Sequence, residues 1–190
     1  LVVLASSANV YGNADVEPIT EDTSPAPAND YAVSKLATEY MARLWMDRLP
    51  IVITRPFNYT GVGQSRQFLI PKIVGHFQRG EKAIELGNID VSRDFSDVRD
   101  VARAYMRLIE VRPGSSVFNI CTGTGVSLKE VLSMMERIAG YNIEVHVNPA
   151  FVRSNEVNRL VGSNAALHKA IGFAPAAALE STLAWMFQNT

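Results

Sequence analysis

Cysteine is nearly absent. Cys121 is the single one in 190 residues, which excludes an internal disulfide and a multi-cysteine metal site and points to a reducing, cytoplasmic setting. No apolar run approaches the roughly 20 residues needed to span a bilayer, so no membrane partner is expected. Neither sign of charge dominates. Eighteen Lys and Arg stand against 19 Asp and Glu, for a net charge of -1. That balance argues against a broad polyanion-binding surface, and so against nucleic acid, while leaving room for a local anion site. His76, His146 and His168 show no metal-ligand spacing, and no metal is expected. Internal repeats and low-complexity linkers are also absent. The hydrophobic fraction is 47%, enough for a sizeable core and too high for a disordered chain. The length suggests one domain or one and a half, at roughly 100–200 residues per domain.

The chain opens with Leu1-Val2-Val3-Leu4, with no Met and no basic leader. This run is too short for a secretory signal. It reads as a strand buried on both faces that starts in mid-domain, so the sequence is expected to be a fragment whose sheet edge is left apolar and open. Asp15–Asn29, with three prolines, reads as a loop. Asp30–Leu49 reads as a helix with Tyr40, Leu44 and Trp45 on one stripe, stopped by Pro50. Ile51–Thr54 is a second buried strand. Asn58–Gln67 reads as a loop, Phe68–Arg79 as a helix interrupted near its start by Pro71, and Ala83–Leu86 as a short strand. Ser96 precedes a helix reaching about Glu110. Ser116–Cys121 is a further strand, and Thr122–Gly125 a tight turn. Ser127 and Glu130 form a capping box for a helix that ends at Gly140. Ile143–Val147 alternates like a strand, and helices over Asn164–Ile171 and Leu179–Phe187 follow. Alternating strands and helices define an α/β fold with a parallel sheet.

Tyr31-Ala-Val-Ser-Lys35 places a phenol and an ammonium on one helix face. An isolated phenol, with a pKa of about 10, is a poor proton donor at neutral pH, and a cation one turn away stabilises its phenolate form. The plain alternative is a core tyrosine beside a surface lysine. Ser7 follows a buried strand, at the edge where open α/β sheets place ligands; its plain alternative is a loop serine bonding local backbone.

Three motifs in order carry a family resemblance: Ser6-Ser-Ala-Asn-Val-Tyr-Gly12, then Tyr31-x-x-x-Lys35 after a proline-rich loop, then Arg55-Pro-Phe-Asn58 after the next strand. Together they resemble the extended short-chain dehydrogenase/reductase family, which binds NAD or NADP and mostly acts on nucleotide-activated sugars. Three further stretches, Arg55–Gln64, Gly87–Asp100 and Arg153–Glu156 followed by Val161–Asn164, are similar to the branch that reduces GDP-4-keto-6-deoxy-D-mannose to GDP-D-rhamnose. The resemblance spans essentially all 190 residues but only the second part of such an enzyme.

The resemblance implies a catalytic set of Ser7, Tyr31 and Lys35. It implies Tyr31, Lys35 and Pro56 at an NADP(H) or NAD(H) cofactor. Asn58, Arg93, Arg153, Glu156, Asn88 and Lys72 are implied at the nucleotide sugar, where the guanidinium groups of Arg93 and Arg153 suit phosphate oxygens. It further implies a homodimer through the helix carrying Tyr31. The expected dinucleotide-binding part is 1–57 with about 92–122, interleaved with a substrate domain over about 58–91 and 123–190. Two departures matter. Dehydratases of the family carry an acid just after the catalytic Ser or Thr, and Ala8 and Asn9 stand there, which disfavours dehydration. The Gly-rich turn that receives the cofactor pyrophosphate is not in this sequence, and Gly123-Thr-Gly125 lacks its spacing. The expected activity is therefore reduction of a nucleotide-linked 4-keto-6-deoxy sugar. A nucleotide-sugar epimerase or dehydratase is the alternative, and a non-catalytic nucleotide-sugar-binding module the second one.

Overall fold

The computed structural model describes residues 1–151 and 159–189. Its elements run in the order Val2–Ala5 (β1), Asp30–Arg43 (α1), Ile51–Pro56 (β2), Asn58–Thr60 (β3), Leu69–Gln78 (α2), Ala83–Leu86 (β4), Ser92–Asp97 (β5), Val98–Val111 (α3), Ser116–Ile120 (β6), Gly125–Ser127 (β7), Leu128–Ala139 (α4), Glu144–Val147 (β8), Arg159–Leu160 (β9), Ala165–Ile171 (α5) and Leu179–Asn189 (α6). The fold is a mixed α/β one with Rossmann-like parallel pairing.

Three sheets organise it. The first is parallel, in the order β1-β2-β6, with Val3 opposite Val52 and Ile53 opposite Val117. Its central strand β2 is buried from Ile51 through Arg55, as a parallel strand covered on both faces should be. β1 differs from the burial expected of Leu1–Ala5. Among the described residues it is an edge strand of the order β1-β2-β6, and Val2 is 44% exposed. The second sheet joins β3 to β5 in parallel, β5 to β7 antiparallel and β5 to β9 in parallel. The third is the parallel pair β4 and β8.

Ser92–Asp97 is a strand, and it pairs with β3, β7 and β9 rather than with β1, β2 and β6. The stretch 92–122 therefore divides between sheets, 92–97 going to the second and 116–120 to the first. Ser92, Asp94, Ser96 and Asp97 are all buried, so this interior strand has no apolar periodicity to signal it. Within Asn58–Gln67, expected as loop, lies β3. Gly125–Ser127, expected as turn and helix start, forms β7. Pro71 does not interrupt α2, because it falls in the first turn, where its missing N–H has no intrahelical partner to lose. α1 ends at Arg43 rather than Leu49, and tight turns such as Trp45 N–H to Ala42 C=O (3.0 Å) carry the chain onward.

The buried apolar side chains form three groups. One, with Ile73, Phe77, Val131, Met135 and Leu183, fills the space among α2, α4, α6 and β4. A second, with Val52, Leu108, Phe118 and Leu167, packs α3 and α5 on the first sheet. The third is small and includes Val10, Tyr11, Phe57, Cys121 and Leu160. It lies behind the ends of β2 and β6, where the sheets meet. Among the described residues, no helix is long and apolar enough to cross a membrane.

Candidate active site

The C-terminal ends of β1, β2 and β6 line up at one edge. Ladder pairing of β1 and β2 continues one residue past β1, with Ser6 N–H donating to Thr54 C=O at 2.8 Å. The chain then turns through a short 3-10 segment, Ala8–Tyr11, for which Ser7 is the cap. Gly12 closes the turn at φ 59, a left-handed conformation natural to glycine, and any Cβ there would collide with the Ala26 carbonyl.

The two serines do different work. Ser6 Oγ–H donates to Glu39 Oε1 at 2.5 Å. Ser7 Oγ accepts from the Asn9 amide at 3.2 Å, and no described residue takes its hydroxyl hydrogen. Ser7, itself buried, is thus held by its acceptor side with a donor left over.

α1 brings up the other two groups. Asn29 caps the helix by accepting from the Ala32 amide at 2.9 Å, so Tyr31 sits in the first turn. The residue is 51% exposed and its hydroxyl has no hydrogen-bond partner among the described residues. Lys35 Nζ lies 5.8 Å from the Tyr31 ring centroid and donates to the Ala5 carbonyl at 3.0 Å. That bond ties the lysine to the strand that delivers Ser7. One donor of an ammonium is occupied and two remain.

Sequence reasoning missed the network beneath these groups. Glu39, fully buried on α1, receives Arg55 Nε and Nη2 in a two-pronged pair at 2.9 and 2.6 Å. Arg55 Nη1 donates to the Tyr11 hydroxyl at 2.9 Å, and Tyr11 donates to Asn119 Oδ1 at 2.7 Å. Burial pushes the Tyr11 phenol up to about 12, against the pull of Arg55, so it stays protonated. The available signal was Glu39 four residues after Lys35, on the same helix face.

The expected substrate residues lie further along the edge. Asn58 begins β3, opposite Phe95, and its Nδ2 is buried without a partner among the described residues. Ser96 Oγ, one ladder step on, is likewise buried and unpaired; sequence reasoning did not single it out. Each such group is costly unless something supplies its hydrogen bond. Arg93 is half-buried on β5 and donates to the Ser92 carbonyl at 2.9 Å. Its acidic neighbours have other partners. Asp94 accepts from the Thr122 amide and hydroxyl and the Gly123 amide, each at 2.8 Å, while burial holds its carboxyl above the ordinary range. Asp97 accepts from Arg99 and Thr182. Burial alone would raise its carboxyl; those bonds outweigh burial and hold it low.

Pro56 ends β2 opposite Ile120. Lys72 and Asn88 gather at the end of β4. Lys72 Nζ donates to the Glu85 carbonyl at 2.7 Å and stands 4.7 Å over the Phe151 ring. Asn88 Oδ1 accepts from the Asp90 amide at 3.0 Å. Arg153 and Glu156 lie outside the described residues. Cys121 is buried, which raises its thiol well above the usual range, so it is packing. A cleft of about 540 Å³ is lined by the loop from Asn13 to Ala26; Ser7, Tyr31, Lys35 and Asn58 are not among its walls.

A parallel α/β sheet presenting Ser, Tyr and Lys at its C-terminal edge defines the class: a Rossmann-like protein of the short-chain dehydrogenase/reductase type. A family model described as GDP-mannose 4,6 dehydratase matches residues 1–186, and the chain belongs to that family. It is 37% identical over 187 residues to the GDP-6-deoxy-D-mannose reductase of Pseudomonas aeruginosa, covering 94% of this chain and 62% of that protein. Among solved structures, it superposes with a TM-score of 0.95 and 59% identity on a Burkholderia cenocepacia J2315 protein provisionally described as an epimerase, covering 98% of this chain and 62% of that one. The NADPH complex of RMD from Pseudomonas aeruginosa matches at TM-score 0.90 and 34% identity, with coverage of 98% and 65%. The chain thus spans less than two thirds of the length of these relatives.

Proposed function

We propose that the protein reduces a nucleotide-linked 4-keto-6-deoxy sugar, of the GDP-4-keto-6-deoxy-mannose to GDP-rhamnose type, using NADPH or NADH. One observation carries the reading. Among the described residues, neither the Tyr31 hydroxyl nor the Ser7 hydroxyl hydrogen has a partner, while Lys35 is tied at 3.0 Å to the strand that leads into Ser7.

The residues present fit the nicotinamide end of such a cofactor. Lys35 keeps two donors for ribose hydroxyls, and Tyr31 and Pro56 border the same edge. The cofactor supplies a hydride when bound. The chain's own groups handle the oxygen and the proton. Ser7 donates to the sugar C4 oxygen and orients it. Tyr31 donates its proton to that oxygen as charge develops there, and the Lys35 ammonium stabilises the phenolate that remains. The Asn58 amide, unpartnered among the described residues, donates to an acceptor on the nucleotide sugar, and Arg93, two strand positions from Phe95, the residue opposite Asn58, is assigned to its diphosphate. Arg153, Glu156, Lys72 and Asn88 complete the proposed nucleotide contacts. Although the family name refers to a dehydratase, Ala8 and Asn9 offer no carboxylate to remove the proton that starts elimination.

Reduction is the reading that also agrees with the reductase relative; its substrate class comes from that relationship. The likeness to a provisional epimerase favours epimerisation as the second reading. Incubating the full-length protein with the keto sugar and NADPH separates them. Stoichiometric loss of absorbance at 340 nm is expected. Sugar isomerisation with no reductant consumed would establish the epimerase instead.

We place the reaction in the cytoplasm and assign a homodimer to the protein. Tyr40, Met41, Leu44 and Trp45 on and just after α1 are 59%, 67%, 80% and 52% exposed, an apolar face suited to a second copy.

A further inference from the structure

α1 carries two of the proposed reacting groups yet is barely packed. Its fully buried residues are Ala32 and Glu39, and of its larger apolar side chains Leu36 packs, partly buried, against the small group around Tyr11 while Val33, Tyr40 and Met41 are exposed, so apolar contact alone fixes little of its rotation on the sheet. Polar contacts do it instead. Lys35 holds the Ala5 carbonyl and Glu39 holds the Ser6 hydroxyl, so two helix residues one turn apart grip two consecutive residues at the end of β1. Ser7 is the next residue. On the other side of the turn, Arg55 binds both Glu39 and the Tyr11 hydroxyl, and Tyr11 ends the 3-10 segment that Ser7 begins. The single guanidinium, 1% exposed, therefore reaches the start of the Ser7 turn through Glu39 and its end through Tyr11.

We propose that Arg55 and Glu39 are positioning residues that lock the Ser7 turn and the Tyr31–Lys35 face of α1 into one unit; the proposal rests on reading Ser7, Tyr31 and Lys35 as the reacting groups. A forked pair between guanidinium and carboxylate is directional, so it sets an angle and an axial position that apolar contact would leave free to slide. Stability alone does not account for it, because an apolar pair of similar volume at such a site is often as stable or more so. Displacement of reacting groups by about 1 Å can cost about 100-fold in rate.

The test uses the full-length protein. Glu39→Gln alone would strand a buried Arg55 cation, and its inactivity could reflect unfolding. The informative variant is the apolar pair Glu39→Leu with Arg55→Met, accompanied by Arg55→Lys, which keeps the charge and loses the fork. Both are measured for thermal unfolding, for kcat and KM with the keto sugar, and for hydrogen exchange. The expected result is a cooperatively folded protein with kcat lowered about 10- to 100-fold and KM within about threefold of wild type. Exchange should quicken together over residues 6–12 and 30–43 and stay unchanged over β6. A kcat within about twofold of wild type overturns the proposal, as does exchange that rises evenly across the chain. If the wild type itself shows no turnover of the keto sugar, the functional reading fails, and the exchange pattern alone decides whether the ion pair locks the two segments.

Discussion

Helix α4 begins with a full capping box, in which the Glu130 amide donates to Ser127 Oγ and the Ser127 amide donates back to Glu130. It buries Leu128, Val131, Leu132 and Met135. α1 is of similar length and also well capped, but it buries a carboxylate and turns Tyr40 and Met41 to the outside. The position of α4 is set by many weak, non-directional contacts, each tolerant of small shifts. The position of α1 is set by a few directional bonds, Lys35 to Ala5, Ser6 to Glu39 and Arg55 to Glu39. One arrangement suits a helix whose task is to fill a core. The other suits a helix that must present two side chains at fixed points relative to a third on a different element.

Substitutions on the two helices should separate rate from stability. Lys35→Met should give the largest change, a loss of roughly 100- to 10,000-fold in kcat/KM. Its unfolding midpoint should barely move, because the side chain makes one backbone hydrogen bond; steady-state kinetics and a thermal melt check both halves. Met135→Ala should do the reverse. Met135 is fully buried, and its truncation should cost about 2–5 kcal/mol in urea unfolding, with kcat per folded molecule unchanged. A smaller effect is expected from Ser127→Ala, about 1 kcal/mol from the lost cap, again without kinetic consequence. Leu44→Ser, just beyond α1, should alter the stability of the isolated subunit by less than about 0.5 kcal/mol, while sedimentation velocity shows weaker self-association. A stability loss several times larger would show that this face is packed within the subunit.

Much of this architecture was legible in the sequence. The strands before Ser7 and Asn58 read as apolar runs, and Ser127 with Glu130 announced α4. What stayed hidden was polar and buried. β5, Ser-Arg-Asp-Phe-Ser-Asp, buries polar residues, with Asp94 and Asp97 accepting hydrogen bonds from Thr122, Gly123 and Thr182, so no alternation of apolar residues marked it. The apolar stripe Tyr40, Leu44 and Trp45 pointed to a helix running to Leu49, but α1 ends at Arg43, only Tyr40 of the three lies in it, and all three are exposed, since periodicity records that a face is apolar and not what covers it. Of the candidate site, Ser7, Tyr31, Lys35 and Asn58 were visible through motif order. The Arg55–Glu39 pair was not, because its partners are 16 residues apart and sit on different elements, α1 and β2, that only the folded chain brings together. Orphaned Ser96 escaped for the same reason, as a single serine in a strand that had not been recognised.

The account stands most directly on Tyr31 as the proton donor. Tyr31→Phe removes one exposed hydroxyl that bonds no described residue, so the fold should be untouched. With the full-length protein, the 4-keto-6-deoxy sugar nucleotide and NADPH, turnover should fall by at least about 100-fold with an unchanged melting curve. Turnover within a few-fold of wild type would contradict the assignment of Tyr31 and, with it, the chemistry drawn for this site.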